Sequence, residues 1–370
     1  MKIICPKGNL LYGVNTVSKA VPTRTTMAIL ECILIDAKEG VIKLTANDTE
    51  LGIETRIEGE IEEPGVIALD ARIFSDIVRK LPENQVTIET QETFKTRISC
   101  EKTVINIVGK SGEDFSPLPS IEKKNELVMS QFSFKEIVRQ TIFSIADNDN
   151  TKMMTGECFE VKGDQLRVIS LDGHRIPVRK MTLNESYGDV KVVVPGKTLQ
   201  EVSKILVGEN DQKMSIYFDH NHILFQFDTT TVVSRLIEGE FFKIDAMLAT
   251  EYDTKITINR RELLDCIDRA SLLVKEGDKK PIIMNIQDEK MELMINSFIG
   301  SMDEEIDIRK SGKDIKIAFN PKFCMDALRV IDDEEISLYM RNAKSPCFIK
   351  DDADSYLYLI LPVNFNSGTR

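Results

Sequence analysis

Ala71-Arg-Ile-Phe-Ser-Asp-Ile-Val-Arg-Lys-Leu81, Gly196-Lys-Thr-Leu-Gln-Glu-Val-Ser-Lys-Ile-Leu206 and Pro321-Lys-Phe-Cys-Met-Asp-Ala-Leu-Arg-Val-Ile331 are one pattern written three times. Their first residues, 71, 196 and 321, are spaced by 125. Each copy has a cation second (Arg72, Lys197, Lys322), an acid sixth (Asp76, Glu201, Asp326) and a cation ninth (Arg79, Lys204, Arg329). Each closes on an apolar residue (Leu81, Leu206, Ile331). Self-similarity at a fixed period marks one structural unit used repeatedly. Three such periods nearly fill the 370 residues.

The repeat extends outward from these helices. Leu10, Val14 and Val17 recur as Ile137, Thr141 and Ser144, and again as Leu263, Ile267 and Ala270, at helical spacing. Between the helices of each third, alternating apolar runs flank short polar turns: Lys38-Glu39-Gly40, Lys162-Gly163-Asp164 and Asp288-Glu289. That alternation predicts antiparallel hairpins. Each third reads as helix, strands, helix, strands, an α+β domain with its helices on one face of the sheets. The expected domains are 1–122, 123–249 and 250–370. The junctions, at Pro117-Leu-Pro119 with Ile121 to Glu126 and near Lys243 to Thr254, are short enough to fix the thirds in one orientation. A tandem array with constant rotation per unit curves, and a curved array can close.

Charge narrows the function. The net charge is −12, yet the six helical stretches together carry +7, which leaves −19 for the rest. Basic helices among acidic sheets and loops suit a phosphate backbone on one surface only. With no zinc-finger spacing and no Trp, the expected contact is sequence-independent and with duplex DNA. The alternative is that these cations merely decorate solvated helix faces.

Chemistry is sparse. No phosphate-binding glycine loop occurs. His220-Asn-His222 reads as a hairpin tip rather than a metal site. Asp147-Asn-Asp149-Asn150 begins like a calcium loop, but Lys152 replaces its glycine and Cys158 its closing acid. No cofactor, metal or enzymatic activity is expected. Seven separated cysteines read as buried thiols of a reduced, cytoplasmic protein. The longest apolar run, Tyr356 to Val363, is too short to span a bilayer, so no membrane partner is expected. One stretch is specific to its copy. Ile169-Ser-Leu-Asp-Gly-His-Arg-Ile-Pro177 has counterparts at Thr45 to Leu51 and Ile295 to Gly300 that lack Gly-His-Arg. It reads either as a turn with Arg175 solvated or as a site.

On these residues the chain resembles the bacterial DNA polymerase sliding clamps, the beta subunit of the replicative polymerase III. Asp172-Gly173-His174-Arg175 matches the family's most recognisable motif, and Arg24 with Ile29-Leu30 matches its first loop. Leu44 to Asp48 and Leu359-Ile-Leu-Pro362-Val363 match two of its strands, and the similarity covers essentially the whole chain. The resemblance implies the DNA clamp fold, a head-to-tail homodimer closed into a ring around duplex DNA, and no catalysis. It implies tethering of the polymerase by topology, so that processivity follows from effective concentration. Arg24, Arg72, Arg79, Arg139, Lys197, Lys204, Lys322 and Arg329 would then face DNA.

The resemblance also implies a pocket for short hydrophobic peptides of polymerase subunits, the clamp loader and repair proteins. Its wall would include Leu171, Gly173, His174, Arg175, Ile176, Phe242, Met247, Leu359, Leu361, Pro362 and Val363. The dimer contact would pair Ile105 and Ile107 with Leu272 and Leu273. Departures from the family pattern are Thr25 and Ala28 in place of prolines, Phe241-Phe242-Lys243-Ile244 at the pocket rim, and Asn364 in place of a terminal cation. Two other readings stay open: a non-encircling three-repeat scaffold that binds peptides, and an enzyme with an unfamiliar site around His174 and Arg175.

Overall fold

The structure, a computed structural model, describes residues 1–124, 126–146, 151–209, 211–249, 251–275 and 280–365. The calcium-like residues 147–150 and the terminal residues 366–370 lie outside the described residues. The α-helices are α1 (Lys7–Val17), α2 (Ala71–Lys80), α3 (Gln131–Arg139), α4 (Gly196–Ile205), α5 (Arg260–Ser271) and α6 (Pro321–Val330).

The repeated helices start where their sequences predict, and the caps show why. Asp70 accepts the Ile73 N–H at 2.8 Å to begin α2, and Asn259 accepts that of Glu262 at 3.0 Å to begin α5. Asn320 accepts from Lys322 at 3.0 Å, while Pro321 at the first position of α6 loses no helical bond. Ala71, Phe74 and Val78 form the buried stripe of α2, and Leu263, Cys266, Ile267 and Ala270 that of α5.

Two compact units result. Unit 1 comprises Met1–Ser133 with Lys197–Leu236, and unit 2 comprises Phe134–Gly196 with Ile237–Arg370. They do not follow the repeat boundaries, because a large sheet in each runs from one repeat into the next. In unit 1 the strand Leu51–Ile57 pairs antiparallel with Thr230–Arg235, inside a nine-stranded sheet. In unit 2 the strand Arg175–Pro195 pairs antiparallel with Tyr356–Ile360, inside a seven-stranded sheet. Helix α1 packs on α2 in unit 1, and α5 on α6 in unit 2.

The first and third expected turns are hairpins. Glu39 (φ 56°) and Gly40 (φ 75°) reverse the chain between Cys32–Ala37 and Ile42–Asn47, and Asp288 (φ 48°) does so between Ile282–Gln287 and Lys290–Asn296. In the middle third, Gly156–Ile169 is one continuous extended segment with Gly163 (φ 59°) at the expected turn. Val161 pairs with Val190 and Gln165 with Thr182, so Gly163 separates two ladders against Arg175–Pro195. All seven cysteines are buried and unpaired. Burial pushes the thiols of Cys5 and Cys158 up to about 12, which keeps them inert.

Candidate partner pocket and helix-face cations

The Asp172-Gly-His-Arg stretch folds as a tight turn before a buried strand. Asp172 Oδ1 accepts the backbone N–H of His174 at 2.9 Å and of Arg175 at 3.1 Å. Gly173 has φ 84°, the left-handed region that glycine adopts without strain. Arg175 is not solvated, as one sequence reading had it; it is 4 % exposed. Its Nε donates to Asp172 at 2.8 Å, one terminal nitrogen to Asp326 of α6 at 2.7 Å and the other to the Phe143 carbonyl at 2.7 Å. The guanidinium also lies over the rings of Phe323 (4.5 Å) and Phe143 (5.2 Å), and His174 stacks on Phe323. A buried charge needs such complete partnering. Arg175 therefore ties the turn to α6.

Beside this turn is a cavity of about 170 Å³. Leu171, Gly173, His174, Arg175 and Ile176 come from the turn and its strand, Leu359 and Leu361 from the facing strand and its end, and Phe242 and Met247 from the 241–248 loop. The Leu361 N–H donates to the His174 carbonyl at 2.9 Å, which holds the two edges together. The other two expected wall residues, Pro362 and Val363, are not in the lining: the Val363 N–H donates to Ala318 at 2.8 Å and carries the chain away. Met154 and Ile244 are lining residues that sequence reasoning missed. Met154 sits in the one-turn 3-10 helix Lys152–Thr155 and Ile244 in the 241–248 loop, both too short for a periodicity to signal a face. The Ile244 carbonyl accepts the N–H of Met247 at 2.8 Å, so it also shapes the loop. The wall is apolar apart from the turn, and two methionines and Phe242 make it adaptable.

The helix-face cations are present but mostly partnered. Arg72, Arg79, Lys197, Lys204, Lys322 and Arg329 are exposed, Arg139 is half-buried and Arg24 lies exposed in the 21–31 loop. The ninth-position cation pairs with the sixth-position acid in two copies, Arg79 with Asp76 at 3.1 Å and Lys204 with Glu201 at 2.8 Å. In the third copy Arg175 holds Asp326, Lys322 stands 3.7 Å from it, and Arg329 pairs with Asp268 at 3.3 Å. Lys197 pairs with Asp48, and Arg139 with Glu136 and Asp332. Among the described residues no ion pair involves Arg24 or Arg72. Pairs whose cation is this exposed contribute little to stability.

The strand Thr103–Val108 is the outer strand of a five-stranded sheet. Ile105 and Ile107 are half-buried on one side, and the exposed apolar residues are Val104 and Val108. Leu272 is 77 % exposed, whereas Leu273 packs against the unit 2 core. Among the described residues no cluster of His, Cys, Asp and Glu suited to a metal occurs, and no helix is long and apolar enough to cross a membrane.

Known proteins share this arrangement. Models of the N-terminal, central and C-terminal domains of the DNA polymerase III beta subunit match residues 1–119, 128–243 and 246–364. A beta sliding clamp of Staphylococcus epidermidis is 34 % identical, over 98 % of this chain and 99 % of its own length. Among solved structures, a DNA polymerase III beta subunit from Eubacterium rectale is 69 % identical with a TM-score of 0.97, and the two chains cover 99 % and 100 %. The DNA polymerase sliding clamp from Bacillus subtilis is 33 % identical with a TM-score of 0.96, at the same coverage. Fold and motif thus define a DNA polymerase sliding clamp, a class of non-catalytic processivity factor. The chain belongs to the DNA polymerase III beta subunit family, and its function is that of a processivity clamp.

Proposed function

We propose that this clamp is a cytoplasmic homodimer of two three-domain chains (1–122, 123–249, 250–370), closed head to tail around duplex DNA, with no catalytic activity. It tethers polymerase subunits, the clamp loader and repair proteins by short hydrophobic peptides. The observation that carries the partner reading is the apolar cavity at Asp172–Arg175, whose turn is pinned by a buried arginine. A pre-formed apolar cavity beside fixed backbone carbonyls suits an inserted peptide side chain. Leu171, Ile176, Met247, Leu359 and Leu361 supply the contact, and Arg175 acts as a positioning residue.

Arg24, Arg72, Arg79, Arg139, Lys197, Lys204, Lys322 and Arg329 face DNA in this reading. Internal ion pairs of all but Arg24 and Arg72 keep most of these contacts weak, which suits sliding, since tight contacts would halt it. The strand Thr103–Val108, with Ile105 and Ile107, joins the partner subunit near Leu272 and Leu273. An unpaired apolar edge is otherwise an aggregation hazard.

The test is calorimetric titration of the whole protein with an acetylated hexapeptide rich in Leu and Phe, in parallel with the Met247→Asp variant. Saturable binding by the natural protein that is lost in the variant supports the reading. Equal binding by both, or none by either, overturns it.

A further inference from the structure

Unit 1 contains a second cavity, of about 220 Å³, built on the same backbone frame as the partner pocket. Asn47, Thr49, Glu50, Leu51 and Gly52 line it, and each stands 124 residues before a lining residue of unit 2, from Leu171 to Ile176. Asp48 Oδ1 accepts the N–H of Glu50 at 3.0 Å and of Leu51 at 2.7 Å, as Asp172 does for His174 and Arg175. The Arg235 N–H donates to the Glu50 carbonyl at 2.9 Å, as Leu361 does to His174. Gly52 pairs with Val233 in the sheet, as Ile176 pairs with Leu359. Thr49 has φ 77° where Gly173 has 84°. A β-branched residue in that region is strained, so the surroundings impose the turn.

The chemistry of the lining differs. Leu51, Val233 and Leu118 form an apolar floor; a Cβ on Gly52 would meet Leu118 at 2.3 Å, so the glycine admits that side chain. The mouth is charged. Arg235 and His222 face each other across adjacent strands, and Glu50 is the acid in the lining. Arg235 and Glu50 are 51 % and 66 % exposed in their side chains and only loosely paired, at 3.8 Å. Asp48 is already engaged by Lys197, and Asp219 lies 3.5 Å from His222.

We infer that the unit 1 cavity is a second docking site, for a short peptide that presents one aliphatic side chain beside an acidic residue. The aliphatic group enters the floor, and the ligand carboxylate replaces Glu50 on Arg235. A bidentate carboxylate–guanidinium contact is stronger than the loose pair it displaces. The mode of binding rests on the peptide reading of the unit 2 pocket.

Photo-cross-linking of the full-length protein tests this. Three amidated pentapeptides carry a central photo-reactive leucine flanked by aspartates, by lysines or by serines. A fourth, wholly apolar peptide is the control for unit 2. Cross-linked residues are mapped by mass spectrometry. The aspartate peptide is expected to mark Leu51, Leu118 or Val233 about tenfold more than the lysine peptide, Arg235→Glu to reverse that order and Arg235→Lys to retain it. If the control marks unit 2 while no aspartate-dependent marking occurs in unit 1, this inference alone falls. Equal marking of unit 1 by all three charged and neutral peptides also overturns it. Marking of unit 1 without marking of unit 2 by the control upholds it and removes the unit 2 reading. Absence of marking in both overturns both.

Discussion

The turns at Asp48 in unit 1 and Asp172 in unit 2 share their backbone hydrogen bonds, while the residues at matching places are chemically unlike. Unit 2 has Gly173, His174, Arg175 and Ile176 where unit 1 has Thr49, Glu50, Leu51 and Gly52. In the sheet that follows, unit 1 buries a Thr55–Thr230 hydroxyl contact at 2.8 Å, whereas unit 2 sets Arg179 over Tyr356. Deeper still, the place held by the buried Ile33 in unit 1 is held by the buried Glu157 in unit 2. A repeat preserves what main-chain pairing demands. Side chains at the pocket are then free to diverge, and ligand chemistry lives in that divergence.

Arg175 offers the largest way to break the comparison. Arg175→Ala removes the buried guanidinium shared by the Asp172 and Asp326 carboxylates and is expected to cost about 4 kcal/mol of stability. At the matching place Leu51→Ala loses packing only, about 3 kcal/mol. Chemical denaturation measures both, and a loss under about 1 kcal/mol for Arg175→Ala would remove its role as the pin of the turn.

Met247→Asp sharpens the difference between the two cavities. Met247 is half exposed, so the fold tolerates the change. Peptide binding in unit 2 is expected to weaken about 100-fold, with marking of unit 1 by the aspartate peptide unchanged. Parallel loss in both units would contradict independent sites.

Glu157 supplies a pH-dependent contrast. Among the described residues neither of its carboxyl oxygens has a hydrogen-bond partner of good geometry, and the neighbouring Thr141 hydroxyl donates to the Ile137 carbonyl at 2.7 Å. Burial pushes the carboxyl from its ordinary 4.5 up to about 8, an effect that Thr141 tempers. The folded chain thus holds a proton that the unfolded chain releases above pH 4.5. Stability from this group is present below that value, falls as pH rises and levels off above about 8. Glu157→Gln should therefore raise stability at pH 8.5 by about 4 kcal/mol and change it little at pH 5. Thermal melts at the two pH values check it; an equal effect at both would contradict the buried proton.

The smallest expected effect concerns the left-handed residue of each turn. Thr49→Gly relieves strain and should stabilise by about 1 kcal/mol, while Gly173→Ala should destabilise by a similar amount. Opposite signs in denaturant melts support a shared turn geometry, and the same sign in both would argue against it.

The repeat, its helices and the Asp172 turn are legible in the chain because each is written locally, as helical spacing or as a turn motif. Contacts distant in sequence are not. Phe242, Met247, Leu359 and Leu361 enter the pocket only through the resemblance to the clamp family. Arg175 is fixed by Asp326, which lies 151 residues away, so its burial has no local signal. The helix-face cations are readable, but their partners Asp332, Asp268 and Asp48 belong to other elements. The unit 1 cavity escapes a motif search because its turn lacks Gly-His-Arg and takes Thr49 at a position that glycine normally fills. Met154 and Ile244 escape because a single 3-10 turn and an irregular loop carry no readable period.

The most direct test of the clamp account is retention of the protein on nicked circular DNA, loaded by the cognate loader with ATP, before and after the circle is cut. The loader is first shown active on a known clamp. Retention on the circle that disappears on linearisation is the predicted result, because a ring slides off a free end. Equal retention on circle and linear DNA, or none with an active loader, would contradict encirclement.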